Sequence, residues 1–272
     1  MSFTLRIIPD DCHFSSFNMA ADLMLLAACE EPSCNIVFLR TYGWNPPAVS
    51  LGCMQQADTN LDLDKLKSDG VQWVKRPTGG RAIFHANDIT YSCAFPTTLS
   101  EMGSSISSSY ERIAECLKKS LHILNIDCET EDVTPTRDSL KPDVKLPCFL
   151  SANKNELLVN GKKLVGSAQK RTSRAVLQHG SIPISTTYRT LPDYLKISPV
   201  QQEQQTASLL QKSISLAEIL PAIDFRKATT ALHEGFVQTL TPDTVTIQAW
   251  TAAELTLISS YIYSIECSSP SL

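Results

Sequence analysis

Three segments carry residue types whose spacing could support chemistry. Lys75 to Ser92 reads K-R-P-T-G-G-R-A-I-F-H-A-N-D-I-T-Y-S. Gly79 and Gly80 let the chain turn sharply and let a ligand approach the backbone with no Cβ in the way. Arg76 and Arg81 flank that turn with planar donors suited to a carboxylate, phosphate or carbonyl oxygen. A tight hairpin bearing surface arginines has the same composition, and His85, four residues past Arg81, suits either a pocket wall or an ordinary strand. Asn160 to Arg171 reads N-G-K-K-L-V-G-S-A-Q-K-R. Asn-Gly supplies the two positive-φ positions of a type I′ turn, which pairs Val159 with Lys162, Leu158 with Lys163 and Glu156 with Val165. Lys163 then shares a face with apolar neighbours, where an ammonium either snorkels to water or is held for use; the plain alternative is an exposed pair with Glu156, worth well under ~1 kcal/mol. Gly166, Ser167 and Ala168 form a small-residue run that admits a close approach. Third, Cys148 closes the irregular stretch before this hairpin, where a nearby cation would favour its thiolate.

The other cysteines compete for that role on equal terms at first. There are nine, an odd number with no C-x-x-C pair, which fits reduced thiols better than a disulfide framework. Cys93 lies in phase with Ile89, Tyr91 and Phe95, and Cys116 lies within a helix, so the core claims both. Gln169, Gln178 and His179 could add hydrogen bonds near the small-residue run, but they also suit ordinary strand positions. No nucleophile-elbow, Walker A, H-E-x-x-H or paired Cys/His signature is present, so no metal site is expected.

These residues must be positioned by 272 amino acids with 43% hydrophobic and 19% charged residues, a mixture able to bury a core. The formal charge of -4 argues against nucleic acid as a main partner. It is unevenly spread: residues 71–87 and 157–192 hold nine Lys and Arg, no acid, and half of the glycines, the pattern of a site for an anionic ligand or acidic partner. The longest apolar run, near Met19 to Cys29, is broken by Asp22 and is too short to cross a bilayer. With no basic leader and cleavage site, a cytoplasmic protein without membrane contact is expected.

Apolar spacing predicts a first helix over Asn18 to Glu30 capped by Ser15 or Ser16, strands at Asn35–Tyr42 and Ala48–Gly52, and a short helix from Asp58 stopped by Gly70. Strands follow at Val71–Pro77, Ala82–His85 and Ile89–Phe95. The serine-rich stretch Thr97–Ser109 reads as a surface loop or lid, and Ser108 with Glu111 as the capping box of a helix to about Leu124. Asp127–Pro147 reads as an irregular loop, and Ala175–Ile184 as a strand. Ser215 with Glu218, Asp224, and Thr251 with Glu254 cap three C-terminal helices. Strands crowd the middle and helices the ends, so the class is α+β with a mixed or antiparallel sheet. The expected organisation is one catalytic domain over 1–272, with a helical extension from about residue 205.

R-P-T-G-G-R-A-x-x-H followed by I-T-Y-S, together with G-K-K-L-V-G-S-A-Q followed by L-Q-H-G-S, resembles the lipoate–protein ligase A and octanoyltransferase superfamily, which includes the biotin–protein ligase catalytic domain. Asn18-Met19-Ala20 matches the family's opening, and the resemblance extends to about residue 190. Arg81 stands where ligases typically have a third glycine, and Cys148-Phe149 stands upstream of the motif lysine as in the LipM-type octanoyltransferases. The other octanoyltransferase type has its cysteine downstream, where this chain offers only Cys267. The length also leaves no room for the added C-terminal domain of the long ligases. The resemblance implies transfer of octanoyl from acyl carrier protein to a lysine of lipoyl domains, such as the glycine cleavage H protein or a 2-oxoacid dehydrogenase E2. Cys148 would be the nucleophile and Lys163 its cationic partner, with Arg76, Gly79, Gly80, Arg81, His85, Gly166, Ser167 and Ala168 around the acyl chain. No cofactor is implied, since phosphopantetheine arrives on the carrier. An ATP-dependent lipoate–protein ligase and a non-catalytic acyl-binding relative remain as alternatives.

Overall fold

Alternating apolar residues build the central sheet in the computed structural model, which describes residues 2–130, 147–150 and 156–268. The elements run β1 (Thr4–His13), α1 (Ser15–Ala28), β2 (Ile36–Trp44), β3 (Ala48–Leu51), α2 (Ala57–Asn60), α3 (Leu63–Ser68), β4 (Gln72–Lys75), β5 (Ile83–His85), β6 (Asp88–Pro96) and α4 (Ile106–Ile123). They continue with β7 (Glu129–Thr130), β8 (Leu157–Val159), β9 (Lys162–Arg171), β10 (Ala175–Pro183), α5 (Pro199–Lys212), α6 (Leu216–Ile219), α7 (Phe225–Leu240), β11 (Thr244–Ile247) and α8 (Ala252–Ser268). The order in the main sheet is β11-β1-β2-β6-β10-β9-β8-β7, parallel on either side of β1 and antiparallel elsewhere. This is the α+β class with a mixed sheet that the pattern of elements predicts.

The two faces of the sheet bury different helices. Leu39, Tyr91 and Cys93 pack with Ile113 and Leu117 of α4 and Phe236 of α7. Phe38, Ala94 and Leu177, one residue out of phase, pack with Met19 and Leu25 of α1 and Ile258 of α8. A second sheet, β4-β3-β5, has its own core of Val49, Leu51, Phe84 and Leu66.

Several local expectations change. Phe14 precedes α1, and Ser15 and Ser16 lie buried inside the helix rather than capping it. Helix α4 starts earlier, under a Ser105–Ser108 capping box, so part of the serine-rich stretch is helix and a short turn at Ser100–Met102 fills more of it. The Asp58–Gly70 helix is two short helices, the second capped by Asp62. Strands β1 and β11 had no counterpart in the sequence reading. Most of the expected 127–147 loop lies outside the described residues. The caps at Ser215–Glu218, Asp224 and Thr251–Glu254 form as expected.

The Asn160-Gly161 turn has both positive φ values, 53° and 70°. Val159 pairs with Lys162 and Leu158 with Lys163 as expected, but a register shift then pairs Leu157, not Glu156, with Val165. The bulge leaves Glu156 off the ladder. The Thr78-Gly79-Gly80 segment does not close a hairpin either: β4 and β5 lie on opposite sides of β3, and the loop between them packs over Gly52. A Cβ on Gly52 would stand 2.1 Å from the Gly80 carbonyl oxygen, and Gly80 itself has φ +93°.

Candidate active site

A narrow cleft, open to solvent at its mouth, lies between the two sheets. Gly166, Ser167 and Ala168 of β9 and His179, Gly180 and Ser181 of β10 form one wall; Ser50 of β3 and Ile83 and His85 of β5 form another. Met19 of α1, Tyr42 and Trp44 of β2, Thr90 of β6, Arg76 and Cys148 complete the lining.

Cys148 opens a one-turn 3₁₀ segment, Cys148–Leu150. Its amide donates to the Ala82 carbonyl at 3.0 Å, fixing the turn to the residue just before β5. The next residue, Phe149, packs against Tyr188 with ring centroids 4.9 Å apart, in a small cluster with Ile83 and Leu209 of α5. Cys148 is buried yet lines the pocket. The missing side chain of Gly166 sets its relation to Lys163: a Cβ there would stand 3.7 Å from Cys148 Sγ and 3.7 Å from Lys163 Cε. Thiol and lysine stem therefore converge over one glycine.

Lys163 is only 3% exposed. Its Nζ donates to Glu156 Oε1 at 2.5 Å and to the Cys148 carbonyl at 3.0 Å. The Glu156 pair is thus a buried ion pair, unlike the exposed one weighed from sequence, and removing either partner is expensive. The Lys163 carbonyl accepts from Ile214 N, so the chain after α5 helps hold this lysine.

Arg76 is 3% exposed and acts as a buckle. Nη1 donates to the Ser50 carbonyl and hydroxyl at 3.0 and 3.2 Å, and Nη2 donates to the carbonyls of Gly79 and Arg81 at 2.8 and 2.7 Å. No carboxylate pairs with it among the described residues. Burial lowers its pKa from the ordinary arginine value, while the charge of Cys148 acts in the opposite direction. Arg81, Gly79 and Gly80 do not line the pocket: Arg81 meets Arg76 through its backbone, and the glycines shape the loop that Arg76 ties down.

Two buried Asp–His pairs flank the pocket. His85 Nδ1 lies 2.9 Å from Asp88 Oδ2, and its Nε2 lies 2.8 Å from Ser50 Oγ, with Trp44 stacked on the ring at 4.0 Å. His179 Nδ1 lies 2.8 Å from Asp22 Oδ2, and its Nε2 lies 2.7 Å from Thr78 Oγ1. Burial pushes the His179 pKa down. Asp22 also takes bonds from Arg40 and Tyr42. Beside the pocket, Gln169 donates to Gln178, Gln178 to the Tyr91 hydroxyl, and that hydroxyl bonds Ser167. Sequence reasoning missed Met19, Tyr42, Trp44, Ser50, Thr78, Asp22 and Asp88 as site residues. Asp22, a carboxylate within an apolar helical run, and the His85-x-x-Asp88 spacing were the available signals.

The chain belongs to the lipoyl protein ligase A/B catalytic domain family, whose model matches residues 15–237. It is similar to the octanoyltransferase LipM of Exiguobacterium sp. (34% identity, 73% of each chain covered) and of Kyrpidia tusciae (33%, 87% of each). Among solved structures it is similar in fold to a putative lipoate protein ligase from T. acidophilum with bound lipoic acid (TM-score 0.74, 22% identity, covering 97% of this chain and 96% of that one). Lipoate-protein ligase A bound with ATP is comparably similar (TM-score 0.73, 22% identity, 97% and 95%).

Proposed function

We propose that the protein transfers an octanoyl group from acyl carrier protein to a lysine of a lipoyl domain, through a thioester on Cys148. The observation that carries this reading is the convergence of Cys148 Sγ and the Lys163 stem over Gly166 in an apolar pocket. The relatives named octanoyltransferase, at 30% identity and above over most of the chain, support the same chemistry. In the first half-reaction the Cys148 thiolate attacks the carrier thioester, the carrier's thiolate leaves, and octanoyl remains on Sγ. In the second, the acceptor amine attacks that thioester and an amide forms. Exchange of thioesters is nearly isoenergetic and amide formation is downhill, so the sequence of steps requires no ATP.

Lys163 and Arg76 are the cations on this side of the site, and in this reading their charge stabilises the oxyanion of each tetrahedral intermediate. The apolar walls suit the acyl chain: burying six methylenes at ~0.8 kcal/mol each contributes about 5 kcal/mol to binding. The test is octanoylation of a purified lipoyl domain from octanoyl-carrier protein without nucleotide. Product without ATP is expected. Attachment of free octanoate or lipoate that depends on ATP would make the protein a ligase, and acyl binding without transfer would make it a non-catalytic relative.

A further inference from the structure

Away from the pocket, two thiols meet where α1 hands the chain to β2. Cys29 is the C-cap residue of α1, and its amide donates to the Leu25 carbonyl at 3.1 Å. The chain then turns back at once: Glu30 N donates to the Ala27 carbonyl and Cys34 N to the Glu31 carbonyl at 2.9 Å. This turn brings the Cys29 and Cys34 thiols into a hydrogen bond with each other. Neither is in a disulfide, and they differ in access, Cys29 being buried and Cys34 half-buried. The shared bond acts oppositely on the two. Together with a bond to the Ile36 backbone it holds the Cys34 pKa below the ordinary thiol value, against partial burial and the Glu31 charge. Cys29 is pushed up by the same bond, by burial, and by Cys93 and Glu30. Cys12, at the surface, is also raised, by desolvation and then by Asp11, Asp88 and Asp10. An accessible thiolate beside a buried thiol is the arrangement in which one sulfur meets an oxidant and the other resolves the product.

We propose that Cys29 and Cys34 are a modification site at which hydrogen peroxide closes a reversible disulfide. The Cys34 thiolate attacks one peroxide oxygen, the O–O bond breaks, hydroxide leaves, and Cys34 carries a sulfenic acid. The Cys29 sulfur then attacks the Cys34 sulfur, the S–O bond breaks, and the oxygen departs as water with the Cys29 proton. Hydroxide takes up the proton that Cys34 released on ionising, so two thiols are oxidised and one peroxide is reduced to two waters. A dithiol reductant reverses the link by exchange. The residues of these two elements that line the pocket are Met19, in the first half of α1, and Tyr42 and Trp44, at the far end of β2. The dithiol sits at the opposite end of both elements, so this inference stands independently of the octanoyl-transfer reading.

The test treats the full-length reduced protein with stoichiometric hydrogen peroxide, quenches with N-ethylmaleimide, and maps each cysteine by tandem mass spectrometry. The wild type should lose two hydrogens in a link between Cys29 and Cys34 that dithiothreitol reverses. Cys34 should be oxidised about tenfold faster than Cys12 or more, since Cys12 is the surface thiol whose environment disfavours the thiolate. Without its resolving partner, Cys29→Ser should accumulate a Cys34 sulfenic acid that dimedone traps, whereas the wild type should yield little dimedone adduct. Cys34→Ser should give neither the link nor an adduct at Cys29. Oxidation of Cys34 no faster than that of Cys12, a link from either cysteine to a third, or equal dimedone trapping in the wild type and Cys29→Ser would each overturn the site.

Discussion

Lys163 and Glu156 form a buried pair that also holds the Cys148 carbonyl, so the electrostatics of the site and the stability of the fold are joined there. Removing Lys163 alone takes the cation from a buried carboxylate, a loss of ~3–5 kcal/mol; Lys163→Met with Glu156→Gln is the better probe. In that double variant, acylation of Cys148 by octanoyl-carrier protein should slow by about tenfold or more, because a donor to the developing oxyanion is lost, and an unchanged rate would confine Lys163 to structure. The adduct must be located by peptide mapping, because a hydrogen bond with Cys29 lowers the pKa of the half-buried Cys34 thiol below its ordinary value, which favours it as a second nucleophile. A second residue-scale effect concerns His233, whose Nε2 lies 2.9 Å from Thr41 Oγ1 and which burial lowers from 6.5 to about 4. The unfolded chain protonates this ring near pH 6.5 and the folded chain only near 4. The stability that His233 contributes is complete above that window and is lost as pH falls through it, about 2–3 kcal/mol. Urea midpoints at pH 7 and 4.5 should therefore differ less in His233→Gln than in wild type; equal differences would contradict this.

Helix α5 appeared from sequence to sit at the edge of a C-terminal extension, but it braces the site. Leu209 is buried in the cluster of Phe149 and Tyr188 that fixes the Cys148 turn, and Tyr188 bonds Ser213, next to the backbone that holds Lys163. Leu209→Ala should cost ~2–5 kcal/mol and lower the acylation rate in protein that is still folded at low temperature; a rate equal to wild type would show that α5 does not position the thiol. Elements with strong local signals were legible in the sequence: the Asn160-Gly161 hairpin and the caps at Ser215, Asp224 and Thr251. Strand β1 was hidden by Pro9 and the Asp10-Asp11 pair, and β11 by four exposed residues with no buried face. The start of α4 was misplaced because the serine-rich stretch offers overlapping capping frames. Of the site, Cys148, Arg76, His85 and the Gly166–Ala168 run line one pocket and Lys163 reaches the Gly166 position beside it, while Arg81, Gly79 and Gly80 do not line it. Partners such as Asp22 and Ser50 were illegible because they arrive from distant strands and helices, and no local pattern records that pairing.

Across the whole molecule, the nine cations of residues 71–87 and 157–192 do not all reach the surface. Arg76, Lys163 and Arg189 are buried, the last paired with Glu218, and Arg171 donates to the Ser104 carbonyl. The positive charge these segments present at the surface is therefore smaller than the sequence count suggests, on a chain of net charge -4; on the proposed function it would steer acidic partners. Steering of this kind acts on encounter, so kcat/KM should fall roughly three- to tenfold between 50 and 500 mM salt with kcat nearly constant. An equal fall in both would place the salt effect on the chemical steps. Among residues 2–130, 147–150 and 156–268, no helix is long and apolar enough to cross a membrane.

The central claim is a covalent octanoyl group on Cys148, and intact-mass measurement after incubation with octanoyl-carrier protein tests it most directly. One octanoyl per chain is expected without ATP, removed by hydroxylamine, mapped to Cys148 and absent from Cys148→Ala. No adduct, or an adduct that survives in Cys148→Ala, would contradict the account.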